Sequence, residues 1–286
     1  MRTKNSVKEV HPCFGARANR GRIHLPICPS CNIQCAFCRR SINKDENRPG
    51  VASFILTVDK VNQYISDALQ MCPEISVVGV AGPGESLIGE NLIKAFKSVG
   101  KEFPQLLKCM STNGLLLNEK ADELIEVGVD TLTVTVNAID PEILAKIVMG
   151  IYYKGKRYEG TEAAALLIEN QIKGIKKMAA SGVTIKINTV LIPEINQDHI
   201  YSVANKVSSL GADLYNIIPL IPQYRLSHLN PPSCQEIDRA REVASEHVDV
   251  FRHCQHCRAD AVGIPGVNDF AGKIFLERAE ETFSHG

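Results

Sequence analysis

Thr131-Leu132-Thr133-Val134-Thr135-Val136 is the stretch on which the fold turns. Hydroxyl side chains alternate with aliphatic ones, which predicts a β-strand with one polar and one apolar face. Thr184-Ile185-Lys186-Ile187-Asn188 repeats the pattern. Strands of a doubly wound open sheet lie between two helical layers and are apolar on both faces. A half-polar strand suits a barrel wall instead, polar toward a lumen and apolar toward surrounding helices. Outward from these two strands, the pattern predicts further strands over 22–28, 75–81, 106–112 and 213–221. Helices are predicted over 58–71, with Thr57 as a cap, over 92–103 and 119–127, and from Asp140-Pro141 onward. Others are predicted around Ile168, Ile172 and Ile175, and over 200–210 and 233–248. Residues 150–160, rich in Tyr, Lys and Gly, read as a loop, and residues 1–22 as an extended polar arm. Six strand–helix units with right-handed crossovers give an α/β fold, a partial, TIM-like (β/α)6 barrel. Reactive groups then belong at the C-terminal ends of the strands.

One such end carries Cys31-Asn-Ile-Gln-Cys35-Ala-Phe-Cys38. Three soft thiols this close together suit an iron–sulfur cluster. A cubane has four irons, so three protein ligands leave one open for a substrate or cofactor. Two plainer readings stand beside this one. Positions 31, 35 and 38 would share one face of a helix as a buried seam, and Cys28 would complete a four-thiol zinc site.

Length and composition narrow the classes. The chain has 286 residues, 44% hydrophobic and 22% charged, with a formal net charge of zero. That balance gives no general argument for a nucleic-acid partner. No apolar run approaches a membrane span, and the start Met1-Arg-Thr-Lys-Asn-Ser lacks an apolar signal segment, so a cytoplasmic protein is expected. Ten cysteines in a reducing compartment point to metal ligands rather than disulfides.

The cysteine spacing, with Phe37 before the last thiol, resembles the signature of radical S-adenosylmethionine (SAM) enzymes. The resemblance implies that the open iron chelates the amino and carboxylate groups of SAM, and that the reduced cluster splits its sulfonium to give a 5′-deoxyadenosyl radical. Gly82-Pro83-Gly84-Glu85 is similar to the Gly-Gly-Glu motif of that family. Gly82, Gly84 and Glu85 are therefore expected at the methionine amine, where glycine permits close backbone approach and a carboxylate complements an ammonium. Ser111, Thr112, Asn113 and Asn137 would meet the ribose and carboxylate of SAM, with Ile192 and Ile218 against its adenine. A turn asparagine or a core isoleucine is the plain alternative for these.

Further cysteines ask for a second use. Cys254 and Cys257, within His253-Cys254-Gln-His256-Cys257, have metal-ligand spacing but need a third donor. Cys13 is the expected one, carried by an arm that crosses the barrel mouth. Cys109 shares the parity of Ser111 and Asn113 and should point into the lumen, where His24 and possibly Cys28 would join it in another auxiliary site. An inert buried Cys109 and a roleless His24 remain alternatives. Cys72 and Cys234 read as structural. The expected division is an arm over 1–22, a barrel over 23–248 and an extension over 249–286, with both extensions covering the mouth.

Taken in order, His11-Pro12-Cys13, the cysteine loop, Arg48-Pro49-Gly50, Gly82 to Glu85, Cys109-Met-Ser-Thr-Asn-Gly114 and Cys254-x-x-Cys257 resemble the NifB family of nitrogenase cofactor maturation proteins. The resemblance runs from about residue 9 to 266. It implies that Cys31, Cys35 and Cys38 hold the SAM cluster. Cys13, Cys254 and Cys257 would hold one auxiliary 4Fe-4S cluster, and Cys109 and His24 would help hold the other. These two clusters, K1 and K2, would be substrates. They would be fused with a SAM-derived carbide and an extra sulfur into an 8Fe-9S precursor. Many relatives carry another cysteine where this chain reads Ser41-Ile-Asn-Lys-Asp-Glu-Asn47, so the third ligand of the Cys109 site is open, with Cys28 a substitute. Arg17, Arg20, Arg22, Arg39, Arg40 and Arg48 would balance anionic clusters, unless they form a solvated face. The expected partners are iron–sulfur donors, an electron donor and a separate cofactor carrier, serving a monomeric lyase- or transferase-type enzyme. Rival readings are a molybdopterin-pathway or peptide-modifying radical SAM enzyme and a non-catalytic iron–sulfur scaffold.

Overall fold

The computed structural model describes residues 2–14 and 19–274. Its strands, in chain order, are β1 (Gly21–His24), β2 (Ile33–Cys35), β3 (Ser41–Ile42), β4 (Val51–Ala52), β5 (Ile75–Val80), β6 (Leu107–Thr112), β7 (Thr131–Thr135), β8 (Val148–Tyr153), β9 (Lys156–Tyr158), β10 (Thr184–Leu191), β11 (Leu214–Pro219) and β12 (Val262–Gly263). The main sheet runs β11-β10-β7-β6-β5-β1-β12. Its first six members are parallel neighbours in sequence order, and β11 does not return to pair with β1. The result is a curled half barrel, as the six expected units require.

The two faces separate as the alternation predicts. Leu132, Val134, Ile185, Ile187, Tyr215 and Ile217 are fully buried in the main core. That core also takes in apolar residues of the helices Val61–Met71, Asn91–Glu102, Leu117–Glu126, Gly160–Ala180, Ile200–Ser209 and Cys234–Ser245. Each such aliphatic side chain contributes roughly 1.5–3 kcal/mol by leaving water. Thr133, Thr135, Lys186, Asn188 and Asn216, of opposite parity, line a cavity inside the curl.

Three expectations change. Residues 150–160 are not a loop but a hairpin, in which β8 pairs with β9 on one side and with β2 on the other. Lys154 and Gly155, at φ 50° and 78°, make its two-residue turn, the left-handed geometry that suits the twist of a hairpin. The arm is not wholly extended either. Lys4–Val10 is helical, and the Thr3 side chain accepts from Ser6 N.

The third change concerns where the extensions run. Arg2 donates to the carbonyls of Pro104 and Gln105, before β6, and Lys4 pairs with Asp213, before β11. The arm therefore enters beneath the N-terminal strand ends instead of across the mouth. The C-terminal segment closes the open side: Val250 bridges to Tyr215 on β11, and β12 pairs antiparallel with β1. A mouth crossing looked natural because ligands gather there. One apolar stripe, in which Val7 and Val10 join the cluster of Val77 and Leu107, draws the arm to the other end.

Candidate functional site

The cysteine loop is held from three sides. β2 pairs with β8, and Ala36 donates to the Ile147 carbonyl at 2.8 Å. Arg225 N donates to the Ala36 carbonyl at 3.0 Å. From the end of β5, Gly84 N and Glu85 N donate to the carbonyls of Cys28 and Ser30, both at 2.7 Å. A Cβ on Gly84 would stand 2.1 Å from the Ser30 oxygen, so only glycine permits this approach. Gly84→Ala is expected to cost about 2–4 kcal/mol and to lower iron bound at the cysteine loop. Urea unfolding and iron analysis after reconstitution check it.

Cys31, Cys35 and Cys38 line one cavity of about 200 Å³, together with Gly84, Glu85, Ser111, Asn113 and Asn137. The run is a short strand and a turn, not a helix, so the buried-seam reading is set aside. Burial pushes the Cys31 thiol up to about 11 and raises Cys35 and Cys38 as well. Cluster ligation requires thiolates, so binding releases protons. Cluster retention against a chelator should therefore strengthen as pH rises from 7 to 8, by up to about tenfold per displaced proton.

Gly82 lies in the same turn at φ 121° and faces Ala259. The Glu85 carboxylate is buried and already committed to protein donors. It accepts from Thr112 Oγ1 (2.6 Å), Asn113 N (2.7 Å) and Leu87 N (3.0 Å). Its first task is to clamp the ends of β5 and β6 together, a use that the motif alone did not disclose. Asn137 Oδ1 accepts from Val190 N, which ties two strand ends together. Ile192 is wholly buried in a second core cluster and does not reach this cavity, whereas Ile218 lines the larger one beside it.

That larger cavity, about 350 Å³, is lined by Cys13, Cys109, Cys254, Cys257, His11, His24, Arg22 and Lys186. It shares Phe37, Cys38, Pro83, Ser111 and Thr135 with the smaller one, so the cysteine loop faces both. Arg22 Nη2 donates to Cys257 Sγ at 3.1 Å. Burial raises the Cys13 thiol, with Lys186 opposing the shift, and pushes Cys109 up to about 11.

His24 Nδ1 is 3.0 Å from the Arg258 carbonyl, which can only accept. Nδ1 therefore carries the proton, leaving the Nε2 lone pair free, the arrangement of a ligating histidine. Burial, and then Arg22, lower its pKa to about 4, so the ring is neutral at neutral pH. Gly79 makes room for it, because a Cβ there would lie 2.9 Å from His24 Cδ2.

Cys28 is not brought to this group. It sits in the apolar core, 3% exposed, with its thiol 3.9 Å from the Ser86 carbonyl and pushed up to about 12 by burial. It thus joins neither a four-thiol site with the loop nor the Cys109 cavity. Cys72 is buried and Cys234 exposed, and neither lines the two cavities. Among the described residues no three His, Cys, Asp or Glu groups close on a single metal ion. The donor chemistry and the cavities fit larger inorganic units: three thiols around the small cavity, and around the larger one four others with His24 and the shared Cys38.

Arg22, Arg39 and Arg48 line the larger cavity and Arg40 the smaller. Arg20 is exposed, and Arg17 lies outside the described residues. Two contributors had no role assigned from the sequence: Gln171 carried no signal, and His11 stood only as a member of the His11-Pro12-Cys13 motif. Gln171, from the helix Gly160–Ala180, donates to the carbonyls of Asn113 and Thr135 at 2.7 and 2.8 Å. His11 is 2% exposed, and its Nδ1 accepts from Cys13 N at 3.0 Å.

Residues 25–207 match the radical SAM superfamily. The chain is 48% identical over 276 residues to the FeMo cofactor biosynthesis protein NifB of Methanocaldococcus jannaschii, covering 95% of this chain and 92% of that protein. The protein of the same name from Methanocaldococcus infernus is 47% identical, covering 96% and 91%. Among solved structures, SuiB of Streptococcus suis bound to S-adenosylmethionine superposes with a TM-score of 0.59 at 11% identity. It covers 84% of this chain and 52% of that one, a likeness of fold. No helix among the described residues is long and apolar enough to cross a membrane.

Proposed function

Because the chain belongs to the radical SAM superfamily and, within it, to the NifB family, we propose that it builds the carbide-centred 8Fe-9S precursor of the nitrogenase cofactor from two 4Fe-4S substrates. The observation that carries this reading is the larger cavity, where four thiols and His24 stand beside Cys38 of the cysteine loop. Cys31, Cys35 and Cys38 would hold the SAM cluster. Once bound, it and SAM supply a methyl group and a hydrogen-abstracting radical.

The chain's own residues do the positioning. Backbone at Gly84 lies beside the cysteine loop, where a SAM amine would sit, while Glu85 keeps that edge fixed to Asn113; Gly82 lines neither cavity and serves the turn behind it. Ser111 lies on the boundary between the cavities and Asn137 in the small one. Cys13, Cys254 and Cys257 would hold one substrate cluster, and Cys109 with His24 the other. Sites with three or fewer protein donors suit clusters that must leave as product. Delivery and removal then call for iron–sulfur donors, an electron donor and a cofactor carrier.

The test is iron content after anaerobic reconstitution. The reading expects about twelve irons per chain, three cubanes. About four, with no further loss when Cys254 and Cys257 are replaced, would contradict it.

A further inference from the structure

Lys186 projects from β10 into the larger cavity and is only 7% exposed. Its ammonium lies 5.1 Å from the ring centroid of Phe14 and 5.4 Å from that of Phe251. No carboxylate among the described residues pairs with it. Its neighbours in register, Thr133 on β7 and Leu214 on β11, are uncharged. A buried ammonium without a counter-charge is costly, and two aromatic faces return only part of what water gave up. The cost could be avoided by a methionine of similar length, yet the chain keeps a cation here.

What the ammonium faces is informative. Cys13 and His11 on the arm, Cys109 on β6 and His24 on β1 all lie within its electrostatic reach. Arg22, the other cation set among these groups, is already engaged by the Gly263 carbonyl and Cys257 Sγ. Lys186 has only aromatic faces against it among the described residues and reaches members of both donor sets, Cys13 of one and Cys109 and His24 of the other. A cubane bound through thiolates is anionic, and an ammonium can give up to three charge-assisted hydrogen bonds to sulfide or thiolate sulfur.

We propose that Lys186 is the anion-positioning residue of the larger cavity, holding the negative iron–sulfur substrate between Cys13, Cys254 and Cys257 on one side and Cys109 and His24 on the other. The assignment rests on the reading of that cavity as a substrate-cluster site. It predicts that the charge of Lys186, rather than its bulk, sets how tightly auxiliary clusters are kept and how easily they are reduced.

The test uses the full chain, reconstituted anaerobically, as wild type, Lys186→Met and Lys186→Arg. Iron retained through gel filtration and potentials from a redox titration followed by electron paramagnetic resonance are the readouts. The cysteine-loop cluster serves as internal reference. Lys186→Met should fall from about twelve irons to about eight or fewer, with the remaining auxiliary signals reduced only at more negative potential. Lys186→Arg should keep wild-type iron. If the methionine variant does not fold, Lys186→Gln carries the same comparison. Wild-type iron and unshifted potentials in the uncharged variant would overturn the assignment. Only about four irons in the wild type itself would overturn the underlying reading and the assignment with it.

Discussion

Alanine in place of Cys31, Cys35 or Cys38 will remove cleavage of SAM to 5′-deoxyadenosine, with a loss greater than about 10²-fold. Even a group that merely orients a metal ligand is worth about 10–100-fold in affinity or activity, and on the proposed reading these thiols would be the ligands themselves. The three are not interchangeable with other cysteines of the chain. Cys28 lies near in sequence but faces the apolar core, so it cannot step in. Iron should fall by about four per chain in each variant, as one cubane is lost. Product analysis by chromatography and iron determination check both statements, and retained cleavage in any of the three would remove that residue from the ligand set.

Separating the cysteine loop from the larger cavity gives the second large effect. Cys254→Ala and Cys257→Ala should each lower formation of the cofactor precursor by more than about 10²-fold while 5′-deoxyadenosine is still made. The segment that carries these thiols is anchored independently of them. Val250 bridges to β11, β12 pairs with β1, and Arg258 forms a buried ion pair with Asp260 at 2.9 Å. Arg258 also reaches Asn43 O and Ser53 Oγ. The fold should therefore survive the substitutions. Loss of cleavage together with loss of product would show that the two cavities are not separable in this way.

The half barrel was legible because its signal is local. The rows Thr131/Thr133/Thr135 and Thr184/Lys186/Asn188 alternate with aliphatic residues, and the pleat sends each set to its own face. The cysteine loop was legible for the same reason, since its three thiols are close in sequence and close in space.

Long-range pairing was not legible. β2 is three residues long, too short to display alternation, and its partner hairpin turns on Lys154-Gly155 instead of the stronger Asn-Gly signal. The direction of the arm depended on where Val7 finds apolar company, which no spacing reveals. Parity placed Cys109 correctly in the lumen, but parity cannot say that Cys28, just beyond β1, turns into the core. The three donors on Glu85 and the contacts of Gln171 likewise arise only when separate loops converge. Lys186 was visible as one polar member of a row. That no carboxylate among the described residues pairs with it is a property of the folded cavity alone.

The most direct test follows carbon. SAM labelled in its methyl group is supplied to the anaerobically reconstituted chain with a reductant, and the isolated iron–sulfur product is assayed for label and for activation of cofactor-deficient nitrogenase. The account predicts label in a product that activates that enzyme. Formation of 5′-deoxyadenosine with no label in any iron–sulfur product would contradict it, leaving a radical enzyme whose target is something other than metal clusters.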